Sequence, residues 1–224
     1  MSSPTYRRLF TSASIVIFGV MGQAVARAWL ARELTGSNAG LGGVMLVFGV
    51  AMLIATPVGG IAADRYDKRT VLIVSVVALA VSSAGVGTAV VADAIHYWML
   101  LAASAVQAAA FAFYLPARIA FIAESVPPHA LSNAIVLAQV AQEATRVIAP
   151  ALAGVLLGIS WFGVGGVFLL GAFASVLALV FLSLLPRSAE RQRRGSSPLS
   201  EMADVVVYMR SVPGLGTIAL FTVG

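Results

Sequence analysis

Four polar side chains stand in an otherwise apolar stretch. They are Gln139, Gln142, Glu143 and Arg146, and the last two are the only Asp, Glu, Lys or Arg residues between Glu124 and Arg187. Their spacing of i, i+3, i+4 and i+7 puts all four on one face of a helix. Ionisable groups placed among apolar neighbours in a membrane are expensive, and they face either a cavity or one another. Glu143 and Arg146 can pair at i, i+3, and either glutamine can hydrogen-bond one of them. Two readings follow: the wall of a substrate cavity, with carboxyl protonation as one use of it, or a structural ion pair between helices. A carboxylate held by arginine must break that pair before it carries a proton, so a cavity wall is the better reading.

A second set of polar residues lies elsewhere in apolar surroundings. Gln23 and Arg27 stand at i, i+4, and Gln107 lies in a long uncharged run. Gln107 is the type of side chain that hydrogen-bonds between helices. Arg27, close to the end of its run, is expected to extend its head group to the membrane surface. Arg118 ends another run and has Asp64 or Glu124 as candidate partners, which would make part of an inner gate. His96, Tyr97 and Trp98 read as an aromatic interface belt rather than a ligand site. The segment Gly59-Gly60-Ile61-Ala62-Ala63-Asp64-Arg65-Tyr66-Asp67-Lys68-Arg69 combines small residues with a dense charge group. Gly59 and Gly60 would let two helices approach. Asp64 can meet a cation or a helix N-terminus, while Lys68 and Arg69 face the headgroups.

The elements that hold these residues follow from composition. The chain has 224 residues, 60% hydrophobic and 10% charged, with a mean hydropathy of +0.97. Soluble domains average roughly 45–50% apolar and 25% charged, so a soluble globular domain is excluded, as is a disordered one. There is no cysteine, which excludes disulfides, thiolate metal sites and cysteine nucleophiles. Charge-free intervals delimit the spans: Leu9 to Ala26, Leu34 to Ala63, Thr70 to Ala92, Ala94 to Ala117, Ser132 to Gly158 and Gly165 to Leu185. The last two come from one long run that the glycines near 158–166 divide. The runs are continuous and longer than the segments of about 10 residues in a barrel. The fold class is therefore an all-α membrane protein with six transmembrane helices.

Lys and Arg set the orientation. With a cytoplasmic N-terminus, Arg7, Arg8, Arg65, Lys68, Arg69, Arg118, Arg187, Arg191, Arg193 and Arg194 lie inside, against Arg27 and Arg32 outside. The net charge of +5 is thus a topology signal. Nucleic acid is not an expected partner, because the basic residues are scattered without aromatic interleaving. The rival reading of the first span is a cleavable signal peptide ending at Ala24-Val25-Ala26. No phosphate loop, metal-ligand cluster or nucleophile with a His–Asp pair is present in the sequence. No enzyme activity, cofactor or metal is expected.

The segment from Gly60 to Arg69 resembles the Gly-x-x-x-Asp-Arg-x-Gly-Arg-Lys loop of the major facilitator superfamily, with Asp67 at the position usually held by glycine. A second stretch, Leu115 through Gly154, resembles the exporter branch that includes enterobactin and macrolide efflux proteins. Its fifth helix carries Gly-Pro-x-x-x-Gly in the family, and here Ala149 replaces the first glycine while Pro150 and Gly154 remain. Proline in a span frees a carbonyl and, with small neighbours, permits a kink against an adjacent helix. The resemblance implies half of a twelve-helix transporter, its two six-helix halves enclosing the substrate site near mid-membrane.

On this reading residues 1–186 are the N-terminal six-helix bundle. Residues 187–213 are a basic cytoplasmic linker with an amphipathic helix, and residues 214–224 begin a seventh span. The implied function is secondary active export of a small amphipathic molecule such as a drug, antibiotic or siderophore, by alternating access with proton exchange as the drive. Gly60, Asp64, Arg65, Lys68, Arg69 and Arg118 would form the conformational gate. Gln23, Gln107, Gln139, Gln142, Glu143 and Arg146 would line the cavity. The expected partners are the inner-membrane bilayer, the substrate with its protons, and a C-terminal six-helix half. The alternative is a truncated or non-transporting membrane scaffold.

Overall fold

A computed structural model describes residues 4–186; the expected linker at 187–213 and the seventh span at 214–224 lie outside the described residues. Within them the chain forms six α helices and no strand: α1 (Pro4–Thr35), α2 (Asn38–Arg65), α3 (Lys68–Val91), α4 (Tyr97–Ser125), α5 (Pro128–Leu157) and α6 (Gly163–Ser183). All six are long and apolar enough to cross a membrane. Short connections alternate between the two ends of the bundle, as expected of antiparallel neighbours. One end carries the α1–α2, α3–α4 and α5–α6 turns. The other carries the α2–α3 and α4–α5 turns.

The helices overrun the charge-free intervals. α1 passes through Arg27, and α4 passes through Arg118 to Ser125. At 1.5 Å per residue a 32-residue helix is about 48 Å long, against a hydrocarbon core of about 30 Å. Helix ends therefore project past the apolar slab, and a charge marks where the slab ends rather than where the helix does. The turns are built by local chemistry. Gly36 takes a left-handed φ of 66° between α1 and α2, a conformation open to glycine without steric cost. Asp67, standing where the family has glycine, caps α3: its Oδ2 accepts from the Thr70 backbone N at 3.0 Å and from Thr70 Oγ1 at 2.7 Å. An aspartate at the N-cap satisfies a helix donor that would otherwise be orphaned, so this short turn needs no glycine. Pro128 opens α5 at its first turn, where a missing N–H is harmless.

The core divides in two. Towards the α2–α3 turn, Leu9, Val16, Ile17, Leu72, Val76, Leu79, Tyr114, Phe121 and Leu182 pack together. Towards the opposite end, Ala26, Leu30, Val44, Val86, Leu100, Val167 and Phe168 form a second cluster. In α1, α3 and α4 the buried residues between the two clusters include Gln23, Ser83 and Gln107, which give the layer described below. Coverage is uneven across the helices. Only Gly40, Val44, Gly59, Ala62 and Ala63 are buried in α2, and only Ala134, Ala138, Ala149 and Ala153 in α5. Met45, Leu46, Leu53 and Ile54 of α2 are exposed.

Candidate functional site

The deepest polar group is a layer contributed by α1, α3 and α4. Gln23 and Gln107 are each 1% exposed, Ser83 is 2% exposed and Arg27 is 9% exposed. Arg27 Nη2 donates to Gln107 Oε1 in a very short hydrogen bond. Gln107 Nε2 donates to Gln23 Oε1 at 3.2 Å and to Ser83 Oγ at 3.4 Å, and Ser83 Oγ donates to Gln23 Oε1 at 3.1 Å. The Phe48 ring of α2 lies over the guanidinium, 5.6 Å from its carbon, a cation–π distance. Gln23 fits because residue 171 of α6 is glycine: a Cβ there would collide with Gln23 Nε2. Gln107 does join helices, as expected. Arg27 does not extend to the membrane surface; it turns inward, because Gln107 at the same depth offers a carbonyl oxygen. Gln23 and Gln107 are packed inside the six-helix unit rather than presented on an open face.

The α5 row is split by the fold. Gln139 Nε2 donates to Glu143 Oε1 at 2.9 Å, and Glu143 lies 3.5 Å from Arg146, with these two side chains 51% and 55% exposed. Gln142 turns away and accepts from Arg118 Nη1 of α4 at 3.0 Å. The pair is therefore real but stands on an uncovered face, and Gln142 serves a different cation. Helix periodicity placed the four on one side; it did not distinguish the edge that meets α4 from the edge that meets nothing in this unit.

At the end carrying the α2–α3 turn, the charges have exchanged expected partners. Among the described residues no ion pair joins Asp64 to Arg118: Asp64 is exposed, and Arg118, 6% exposed, bonds Gln142 instead. Glu124 takes Lys68, 2.7 Å away. Lys68 is buried and so does not face the headgroups as its place in the sequence suggests. Arg69 donates to the carbonyls of Leu182 and Ser183, and Arg8 to that of Leu184 at 3.0 Å. These carbonyls lie in the last turn of α6, that of Leu182 also accepting from the Leu185 backbone N at 3.1 Å, and cations there suit the helix dipole. Arg65 is exposed at the end of α2.

Small residues act differently from expectation at two positions. Gly59 makes the α2–α4 approach, since a Cβ there would collide with the Ala112 carbonyl, whereas Gly60 faces open space. α5 runs unbroken through Pro150, and Gly154 also faces open space. The close packing of α5 belongs to its other face, where a Cβ on Gly22 of α1 would lie 3.6 Å from the Ala149 carbonyl and 3.7 Å from Ala153 Cβ. His96 is exposed, its Nδ1 lying 3.0 Å from the Ala94 carbonyl oxygen. Trp29, Trp98 and Trp161 are all exposed near this end of the bundle, the pattern of an interfacial belt. Periodicity within one helix gives no sign of Ser83 or Phe48, which complete the layer from α3 and α2.

Six apolar helices enclosing charged and amide side chains define a multi-pass α-helical membrane protein. The sequence profile of the Major Facilitator Superfamily matches residues 9–224, and the chain belongs to that family of transporters. Among curated proteins it is 26% identical over 179 residues to the uncharacterized MFS-type transporter YfiS of Bacillus subtilis, covering 78% of this chain and 41% of that protein. It is 27% identical to the enterobactin exporter EntS of Citrobacter koseri, covering 97% of this chain and 52% of EntS. The chain thus spans about half the length of the curated relatives it matches.

Proposed function

We propose that the chain is the N-terminal six-helix half of a secondary active exporter. It works by alternating access on a small amphipathic molecule, with proton exchange as the drive, in the inner membrane with its N-terminus in the cytoplasm. The observation that carries the reading is the uncovered face of α5, where Gln139, Glu143 and Arg146 form a hydrogen-bonded, ion-paired row with no helix of this unit over it. A polar row in a transmembrane helix is tolerated where it lines a cavity or meets another subunit. In this superfamily a second six-helix half supplies that other wall. The exporter named among the relatives supports the direction of transport. The concentration of Arg7, Arg8, Arg65, Lys68, Arg69 and Arg118 at one end of the bundle supports the orientation.

The test is uptake of an amphipathic fluorescent dye into inside-out vesicles containing the full-length gene product. Uptake should require a proton gradient and collapse with a protonophore. Glu143→Gln and Arg146→Ala should each reduce it at least tenfold while leaving the amount of inserted protein unchanged. Undiminished uptake by both variants would overturn the cavity role of this row. Absence of uptake by the unaltered protein would favour a non-transporting scaffold.

A further inference from the structure

At the end of the bundle that carries the α2–α3 turn, a cavity of about 220 Å³ lies between α1 and α5, lined by Tyr6, Arg7, Phe10, Thr11 and Leu137. Its two walls are tied together. The Tyr6 hydroxyl donates to the Ala134 carbonyl of α5 at 2.9 Å, and the Tyr6 and Phe10 rings lie 6.0 Å apart. Arg7 and Thr11 stand one turn apart on α1 and are exposed, so the cavity is reached from outside the bundle. Among the described residues, no hydrogen bond or ion pair engages the Arg7 guanidinium or the Thr11 hydroxyl. Their neighbours are already committed: Arg8 to the Leu184 carbonyl, and Ser12 and Ser14 to carbonyls one turn back. A guanidinium offers five N–H donors and a hydroxyl one more. Both border a single cavity that has apolar walls and no carboxylate in its lining.

Position selects what can reach the cavity. At about 100° per residue, Leu137 stands about 140° round α5 from Gln142, which meets α4, and about 180° from Arg146. The cavity therefore opens on the edge of α5 away from the polar row. Centred on a hydrocarbon core of about 30 Å, α1 overruns it by about 9 Å at each end. Arg7, about 5 Å from the start of α1, then lies among the headgroups, and Phe10, about 9 Å from it, lies at the edge of the hydrocarbon. We propose that this crevice binds one anionic phospholipid of the leaflet at this end. Arg7 and Thr11 hold its phosphate, and the first carbons of an acyl chain lie against Phe10 and Leu137. Basic pockets between transmembrane helices suit such headgroups. A choline lipid brings the same phosphate but adds an ammonium that Arg7 repels, so the site discriminates by headgroup charge. The assignment is independent of what the transporter carries.

The experiment is native mass spectrometry of the full chain in neutral detergent, with dioleoylphosphatidylglycerol and dioleoylphosphatidylcholine at equal concentration. The first lipid bound is expected to be the phosphatidylglycerol, by at least fivefold. Arg7→Gln should bring that ratio below twofold, and Thr11→Val should lower it by about half. Both positions are exposed, so neither change threatens the fold. Leu137→Trp fills the cavity without changing charge and should remove the preference as Arg7→Gln does, with a melt in detergent confirming that the variant is folded. Arg32→Gln, exposed at the far end of α1, should leave the ratio unchanged. Equal binding of the two lipids by the unaltered chain, or a preference that survives Arg7→Gln, would overturn the site. A preference that persists in folded Leu137→Trp, or falls as far in Arg32→Gln as in Arg7→Gln, would reduce the effect to overall charge and overturn it as well. Soluble sn-glycerol 3-phosphate at the same concentration should not displace the lipid; displacement would mark a site for free phosphate esters and sink the lipid assignment.

Discussion

Two polar regions of this bundle carry arginine, and they resolve its charge in opposite ways. On α5, Arg146 has a carboxylate beside it but no cover, with both members of the pair about half exposed. In the layer between the apolar clusters, Arg27 has cover from α2 and α4 but no carboxylate, only the Gln107 amide and the Phe48 ring. An exposed ion pair at i, i+3 is worth a few tenths of a kcal/mol. A buried cation is worth little as a contact but a great deal as a liability if its one acceptor is removed. The comparison teaches that the more conspicuous pair in the sequence is the less consequential one for the stability of this unit. Its importance lies with whatever covers it.

Four substitutions sharpen or break that contrast, in order of expected size. Gln107→Leu takes the acceptor from Arg27 and should lower unfolding stability by about 3 kcal/mol, read from thermal melts of the chain in detergent; a loss below that of an exposed pair would show that Arg27 has another acceptor. Gly171→Ala places a methyl group where Gln23 Nε2 now sits, and overpacking of this kind costs about 1–3 kcal/mol. Melting should report it, and Gln23→Ala in the same background should recover part of the loss. Asp67→Ala removes the cap of α3 and should cost about 1 kcal/mol, whereas Asp67→Asn should be nearly silent in the same melt. Glu143→Gln should change stability by less than about 0.5 kcal/mol in detergent. A larger drop would mean that the α5 row is already buried, in an assembly of copies or of halves.

The six helices were legible in the sequence because the cost of charge in hydrocarbon writes the limits of the apolar slab as gaps between charged residues, with glycines near 158–166 dividing the last run; the helix ends themselves pass those limits. The interior pairings were not. Asp64, Glu124, Arg118 and Lys68 lie towards one end, with Gln142 at the middle of α5, and composition alone leaves several pairings open. Packing chose Lys68 with Glu124 and Arg118 with Gln142; the two cations are buried alike, so reach and not burial separates their partners. For Arg27 the signal is depth. This residue lies eight residues before the end of α1, and Gln107 ten residues after the start of α4. At 1.5 Å per residue these are depths of about 12 and 15 Å from the same end. Ser83 of α3 falls at about 12 Å by the same measure. Polar residues of separate helices at one depth are candidates for one layer, whereas periodicity within a single helix, the signal that singled out α5, is blind to them. Gly60 and Gly154 illustrate the converse: a small residue permits a close approach, but only the neighbouring helix decides whether one is made.

The two arginines at the end of α6 bear on the order of synthesis. Arg8 and Arg69 reach Leu184 and Leu182 across 176 and 113 positions of chain. A ribosome that has completed α5 has delivered both side chains to the bilayer but neither of the carbonyls they will hold. Until the sixth helix enters, the guanidinium groups have lipid phosphates and water as their company. Arrival of the sixth helix then gives the first and third their anchorage, so the six-helix bundle is fastened from α6 back to α1.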